Sequence, residues 1–183
     1  MQKKHVGVLG AIGAGFIALA ALFRRKRHQV EPEAPEAINP PNPVPRIAKR
    51  EELLEAIRGE LGKTDPAPYY ANALQGTASA DTDWCGIFSL SMLKRVGIAP
   101  ADWWWIIRKG FLFRLPPTKH PLPGDQFYMD ENNHHGTVEA IRPDGMVVTL
   151  DGNSWGGAVA RNVRDPSTIA GYYSIEPLLQ GAA

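Results

Sequence analysis

Cys85 is the single cysteine among 183 residues, and it stands in Asp83-Trp84-Cys85-Gly86-Ile87-Phe88. A lone thiol cannot close an intramolecular disulfide, so it either packs or reacts. A reacting thiol needs a base, and the base needs a third group to orient it. Of the five histidines, His5 and His28 flank an N-terminal apolar run and His120 lies in a proline-rich stretch, which leaves His134 and His135. On a strand these two point to opposite faces, His134 with Gly136, Val138 and Ala140, His135 with Thr137 and Glu139. The first face is apolar and is expected to meet the cysteine helix. His134 is therefore the expected base and His135 its alternative.

A two-residue Asp144-Gly145 turn would pair Val138 with Asp151 and Gly136 with Asn153. In that register Asn153 is the diagonal neighbour of His134 and Asp151 lies one step further, and either could orient the imidazole. Each feature also has a plainer use. A cysteine beside Trp84 and Phe88 packs more often than it reacts, and Asp-Gly-Asn commonly ends a strand in a turn.

The elements that must carry these residues follow from periodicity. Ile47, Leu54, Ile57 and Leu61, widened by Leu53 and Ala56, predict an amphipathic helix over 46–61 that stops at Gly62. Residues 65–80 read as loop. A second helix is expected over 84–96, capped by Asp81, Thr82 or Asp83, with Lys94 and Arg95 in its last turn and Gly97 ending it. Cys85 would then lie in the first turn, where free N–H groups and the positive dipole end favour a thiolate. From Gly124 onward short alternating runs, 124–129, 134–142, 146–153, 158–163 and 171–175, predict an antiparallel sheet. Helices first and strands second make an α+β domain with the helices on one face of the sheet.

Trp84-Cys85-Gly86-Ile87-Phe88, Pro123-Gly124-Asp125 opening a strand, His134-His135-Gly136-Thr137-Val138-Glu139 and Asp151-Gly152-Asn153 resemble, in order, the signatures of CHAP-type cysteine amidase/peptidase domains. These are papain-like enzymes of bacterial and phage cell-wall hydrolysis, and the resemblance covers roughly residues 51–176. It implies a papain-like fold, Cys85 as nucleophile, His134 as base, and Asp151 as orienter with Asn153 assisting. It further implies a thioester acyl-enzyme and peptidoglycan as substrate, with no cofactor. The second position of the histidine motif, usually apolar, is here His135. Only the backbone N–H of Cys85 offers itself as an oxyanion donor.

Residues 6–23 carry no charge and would make a helix of about 27 Å, enough to span a bilayer. Lys3-Lys4 and Arg24-Arg25-Lys26-Arg27 flank the run as headgroup anchors. The expectation is an uncleaved anchor over 1–30, with a cleaved signal peptide as rival because Ala18-Leu19-Ala20 has the small-x-small form. Residues 31–45, with six prolines, predict a semi-rigid spacer, and the hydrolase domain then occupies 46–183. The protein is thus expected in a bacterial envelope or a phage virion. The larger charge after the span would leave the domain in the cytoplasm, which conflicts with a wall substrate unless lysis is timed, the chain enters a virion or the segment is cleaved.

Net charge is +1, but outside the first thirty residues 14 basic residues face 19 acidic ones, which argues against nucleic acid as partner. One cysteine and two adjacent histidines are too few for a closed zinc site. Trp103-Trp104-Trp105, Phe111 and Phe113 could stack on sugar or lie against lipid, but at least one tryptophan should be buried. Two further readings remain: a non-catalytic module of the same fold that binds wall peptide or serves as a virion component, and a cytoplasmic cysteine peptidase acting on protein.

Overall fold

The computed structural model describes residues 43–74, 83–104 and 110–180, all within one compact unit. Helix α1 (Pro43–Arg58) starts at two prolines, which are tolerated in a first turn whose N–H groups have no helical partner. It therefore begins inside the expected spacer. Its inward stripe is Arg50, Leu53, Leu54 and Ile57, whereas Ile47 and Leu61 are exposed, correcting the expected stripe. Arg50 displaces an apolar residue there because it clasps a buried carboxylate: its Nη1 donates to Asp125 Oδ1 at 2.9 Å and to the Pro123 carbonyl at 2.8 Å. Asp125 also accepts from the Leu122 and Ile175 amides. The Pro-Gly-Asp segment thus ties the first helix to the sheet.

Helix α2 (Ala67–Leu74) forms where loop was expected. Asp65 accepts from the Ala67 amide at 3.0 Å, and Pro66 and Pro68 sit at the start of the helix, where they assist it. Helix α3 (Cys85–Arg95) is buried from Cys85 through Leu93. Its N-cap is Trp84 with no side-chain cap bond, so Asp83 does not cap it, and Asp81 and Thr82 lie outside the described residues. Gly97 ends it as expected, taking φ +70° while the Ile98 and Ala99 amides return to the Leu93 carbonyl.

Six antiparallel strands follow: β1 (Pro117–Thr118), β2 (Gln126–Met129), β3 (His134–Ile141), β4 (Val147–Asp151), β5 (Ala160–Arg164) and β6 (Gly171–Tyr173), in the order β1-β6-β2-β3-β4-β5. The five expected strands are present, and β1 is an additional two-residue edge on β6. A short helix α4 (Glu176–Leu179) closes the described chain. The chain is α+β. One sheet face, carrying Tyr128 and Leu150, packs on α1, α2 and α3 in the main core. The other carries a smaller cluster of Phe127, Met129, Val138 and Val147 with Ile169. Trp103 is buried against Phe111, as one tryptophan had to be, while Trp104 and Phe113 are exposed. Trp105 lies outside the described residues.

The β3–β4 hairpin has a three-residue loop, Pro143–Gly145, rather than the expected two, with the Arg142 amide donating to the Met146 carbonyl. Pro143 supplies a preset φ at the turn and Gly145 takes φ +84°. A second slip of one residue follows at an irregularity between Val138 and Ala140. Together the two bring Val138 opposite Thr149 and Thr137 opposite Leu150, two residues away from the expected register.

Among the described residues no helix is long and apolar enough to cross a membrane. The expected anchor at 6–23, its basic flanks and the spacer up to residue 42 lie outside the described residues.

Candidate active site

Cys85 is the first residue of α3 and is 3% exposed. The preceding Trp84 stacks on Tyr69 (centroids 5.6 Å, 15°) and meets the edge of Phe88, while the Tyr69 hydroxyl donates to Glu60 at 2.7 Å. These contacts fix where the helix starts and hence where the sulfur sits. Cys85 Sγ lies 3.8 Å from the Asn133 carbonyl oxygen. Asn133 adopts φ +47° and accepts from the Tyr128 hydroxyl at 2.8 Å through its side chain, which holds the β2–β3 turn against the thiol.

His134 follows as the first residue of β3. Its Nε2 is 3.2 Å from Asp151 Oδ2, and the Cys85 side chain interacts with the imidazole. Burial of the ring opposes its charge, but the bonds to Asp151 and Cys85 outweigh burial and raise the pKa to about 9. The imidazole is thus held as a cation between a carboxylate and a sulfur. The expected face is nevertheless wrong. His134 pairs with Met129 and shares the face of Phe127, away from the helices, whereas His135 pairs with Tyr128 on the helix side. His134 reaches Cys85 because each begins its element, so the two meet over the end of the strand. His135 is buried in the core, its ring 5.1 Å from Tyr128 and 6.5 Å from Phe111.

Asp151, the last residue of β4, is completely buried. The two-residue register change makes it, and not Asn153, the diagonal partner of His134. Asn153 takes φ +52° and its amide donates to Asp83 Oδ1 at 3.3 Å. Gly136 lies between the two catalytic candidates. A Cβ there would stand 2.6 Å from Asp151 Oδ1 and 2.5 Å from the Phe127 ring, so the approach requires bare backbone.

Two residues went unread in the sequence. On β5, Asn162 Nδ2 donates to Asp151 Oδ2 at 2.8 Å and to Ser154 Oγ at 3.1 Å, and Arg164 Nη2 pairs with the same carboxylate oxygen. Arg164 Nε also donates to Thr149 at 3.1 Å, and the guanidinium lies over the Phe127 ring at 5.5 Å. The signal was available: Ala160, Asn162 and Arg164 alternate along β5, and pairing Ala160 with Asp151 puts all three on its face.

A cleft of about 360 Å³ opens over His134, lined also by Asn153, Ser154, Trp155 and Arg164. A larger cavity of about 590 Å³, around Glu60, Lys63, Tyr69 and Arg95, holds no thiol or imidazole. Its polar groups satisfy one another: burial would raise Glu60, but bonds from Tyr69, Arg95 and Lys63 lower its pKa to about 2. Among the described residues no group of three or more His, Cys, Asp or Glu side chains is placed to hold a metal ion.

The arrangement supplies a thiol, a base touching it, and a carboxylate that orients the base and stabilises its cation, the requirements for covalent nucleophilic catalysis. The first intrahelical bond of α3 runs from Phe88 N to Trp84 O at 2.8 Å, so the Cys85 amide precedes the helical ladder and has no intrahelical acceptor. Comparison with family models, curated proteins and solved structures finds no match to this chain.

Proposed function

We propose that this domain is a papain-like, CHAP-type cysteine hydrolase that cleaves an amide or peptide bond of peptidoglycan and is tethered to a membrane by residues 6–23. The observation that carries the reading is the contact chain Cys85–His134–Asp151, formed by residues 85, 134 and 151 of three separate elements. The Cys85 proton rests on His134, the resulting Cys85 thiolate attacks the carbonyl carbon, and the Cys85 amide receives the oxyanion. His134 then protonates the leaving nitrogen, and the C–N bond breaks to leave a thioester. Water, deprotonated by His134, attacks the thioester, releasing the acid and restoring the thiol.

The test is incubation of the protein with purified peptidoglycan and mass analysis of the released fragments. Thiol-dependent release that Cys85→Ser abolishes, with the fold retained, is the expected result. Release at the unsubstituted rate in that variant refutes the mechanism. One observation favours the non-catalytic reading, a wall-peptide binding module: the thiol is nearly buried and faces the Asn133 carbonyl. A catalytic Cys85 alkylates rapidly with small iodoacetamide-type reagents near neutral pH, and a packing cysteine does not.

A further inference from the structure

We propose that Arg164 determines specificity in this cleft by receiving a substrate carboxylate next to the scissile amide, so that the enzyme selects peptides carrying a free acid. The proposal deepens the hydrolase reading and rests on it. The cleft lining contains Arg164 and His134 but no acidic side chain. Arg164 is 17% exposed and is fixed on three sides: Nη2 on Asp151, Nε on Thr149, and its plane over Phe127. Its Nη1 makes no hydrogen bond to a described residue, so a preorganised donor edge remains at the cleft. A guanidinium has donors only, and a carboxylate is its strongest partner.

An arginine needed only to balance Asp151 would be redundant in part, since that oxygen also accepts from Asn162 and faces the His134 cation. The same cleft lining includes an exposed indole: Trp155 is 88% exposed in a turn where Gly156 and Gly157 both take positive φ. A peptide with one acidic group and an apolar or ring-bearing flank fits that pair of features. Arg164 is thereby both a positioning residue for Asp151 and a binding residue for substrate. Only the second role discriminates between ligands.

The experiment uses the full chain with Cys85→Ala to prevent turnover, and two probes: an N-acetylmuramoyl tetrapeptide with free carboxylates and its fully amidated counterpart. Calorimetry should show the free acid binding about ten- to a hundredfold tighter, the value of a charge-assisted bond. Arg164→Gln should bring the ratio to near one, and Arg164→Lys should leave an intermediate ratio. Equal affinities for the two peptides, absence of binding, or an undiminished ratio in Arg164→Gln overturns the proposal. The comparison on the unsubstituted arginine decides the matter even where a variant fails to fold. Wall hydrolysis by the native chain with equal peptide affinities removes this inference alone. Arginine-dependent acid binding without hydrolysis removes the hydrolase reading instead.

Discussion

Gly152→Ala probes the joint between the two layers that carry the site. A Cβ at Gly152 would stand 2.5 Å from Phe88 Cβ, 2.6 Å from Phe88 Cγ and 2.8 Å from Trp84 Cζ3. Carbon atoms rest at about 3.5 Å or more, so the end of β4 and the start of α3 must separate by about 1 Å. Phe88 and Trp84 are both buried among core rings and cannot swing aside. Overpacking of this kind costs about 1–3 kcal/mol. At about 2–4 °C per kcal/mol for a domain of this size, the melting temperature should fall by about 2–12 °C. The same displacement moves Cys85 relative to Asp151, and a 1 Å error in such a constellation costs about a hundredfold in rate. Thermal unfolding and wall turnover, measured on one preparation, read both effects. Gly145→Ala is the control, since its φ of +84° makes alanine strained but no atom lies within 4 Å of a Cβ there. It should lose stability without a selective loss of rate. A Gly152→Ala protein with native melting temperature and native turnover refutes the argument.

His134→Ala should abolish turnover while leaving the fold intact, whereas His135→Ala, which empties a buried site between Tyr128 and Phe111, should cost about 2–4 kcal/mol in urea unfolding. Equal stability losses in the two variants would contradict the face assignment. Because His134 is raised from 6.5 to about 9, the folded state holds the extra proton, so stability should be greatest below pH 6.5 and decline as pH rises towards 9. The same proton sets an alkaline limb of activity near pH 9, which Asp151→Asn should move down; an unmoved limb would mean that Asp151 does not stabilise the imidazolium. Arg50→Ala leaves the Asp125 carboxylate buried without its cation and should cost about 3–5 kcal/mol, measured by denaturant titration, and a loss under 1 kcal/mol would refute that estimate.

The residue types of the site were legible because thiol, imidazole and carboxylate are few and their elements strongly patterned. Alternation separated His134 from His135 correctly, yet it assigned the helix to the wrong face, since apolar Val138 serves a second, smaller cluster. Strand periodicity says which residues share a face and not which face a helix will choose. The hairpin register that put Asn153 nearest His134 failed for a related reason, although Asp151 was the orienter the resemblance implied. It depended on a sum of two one-residue slips, one at Pro143 and one near Ala140, and bulges leave no mark in an alternating run. Helix α2 was missed because Pro66 and Pro68 read as breakers when they sit at a helix start. Arg50 and Arg164 were unread because a buried arginine is defined by its distant partners, Asp125 and Asp151, 75 and 13 residues away.

Residues on β4 alternate between two tasks. Leu150 serves the main core on one face, while Thr149 and Asp151 serve the polar network on the other. The main core and the polar network of the proposed site therefore lie on opposite sides of the same strands. Substitutions at Trp155 or Arg164 would alter the cleft while the helix-facing side goes on folding the chain. The same economy carries a vulnerability, because a single inserted residue in β4 would exchange the two sets at once and destroy both.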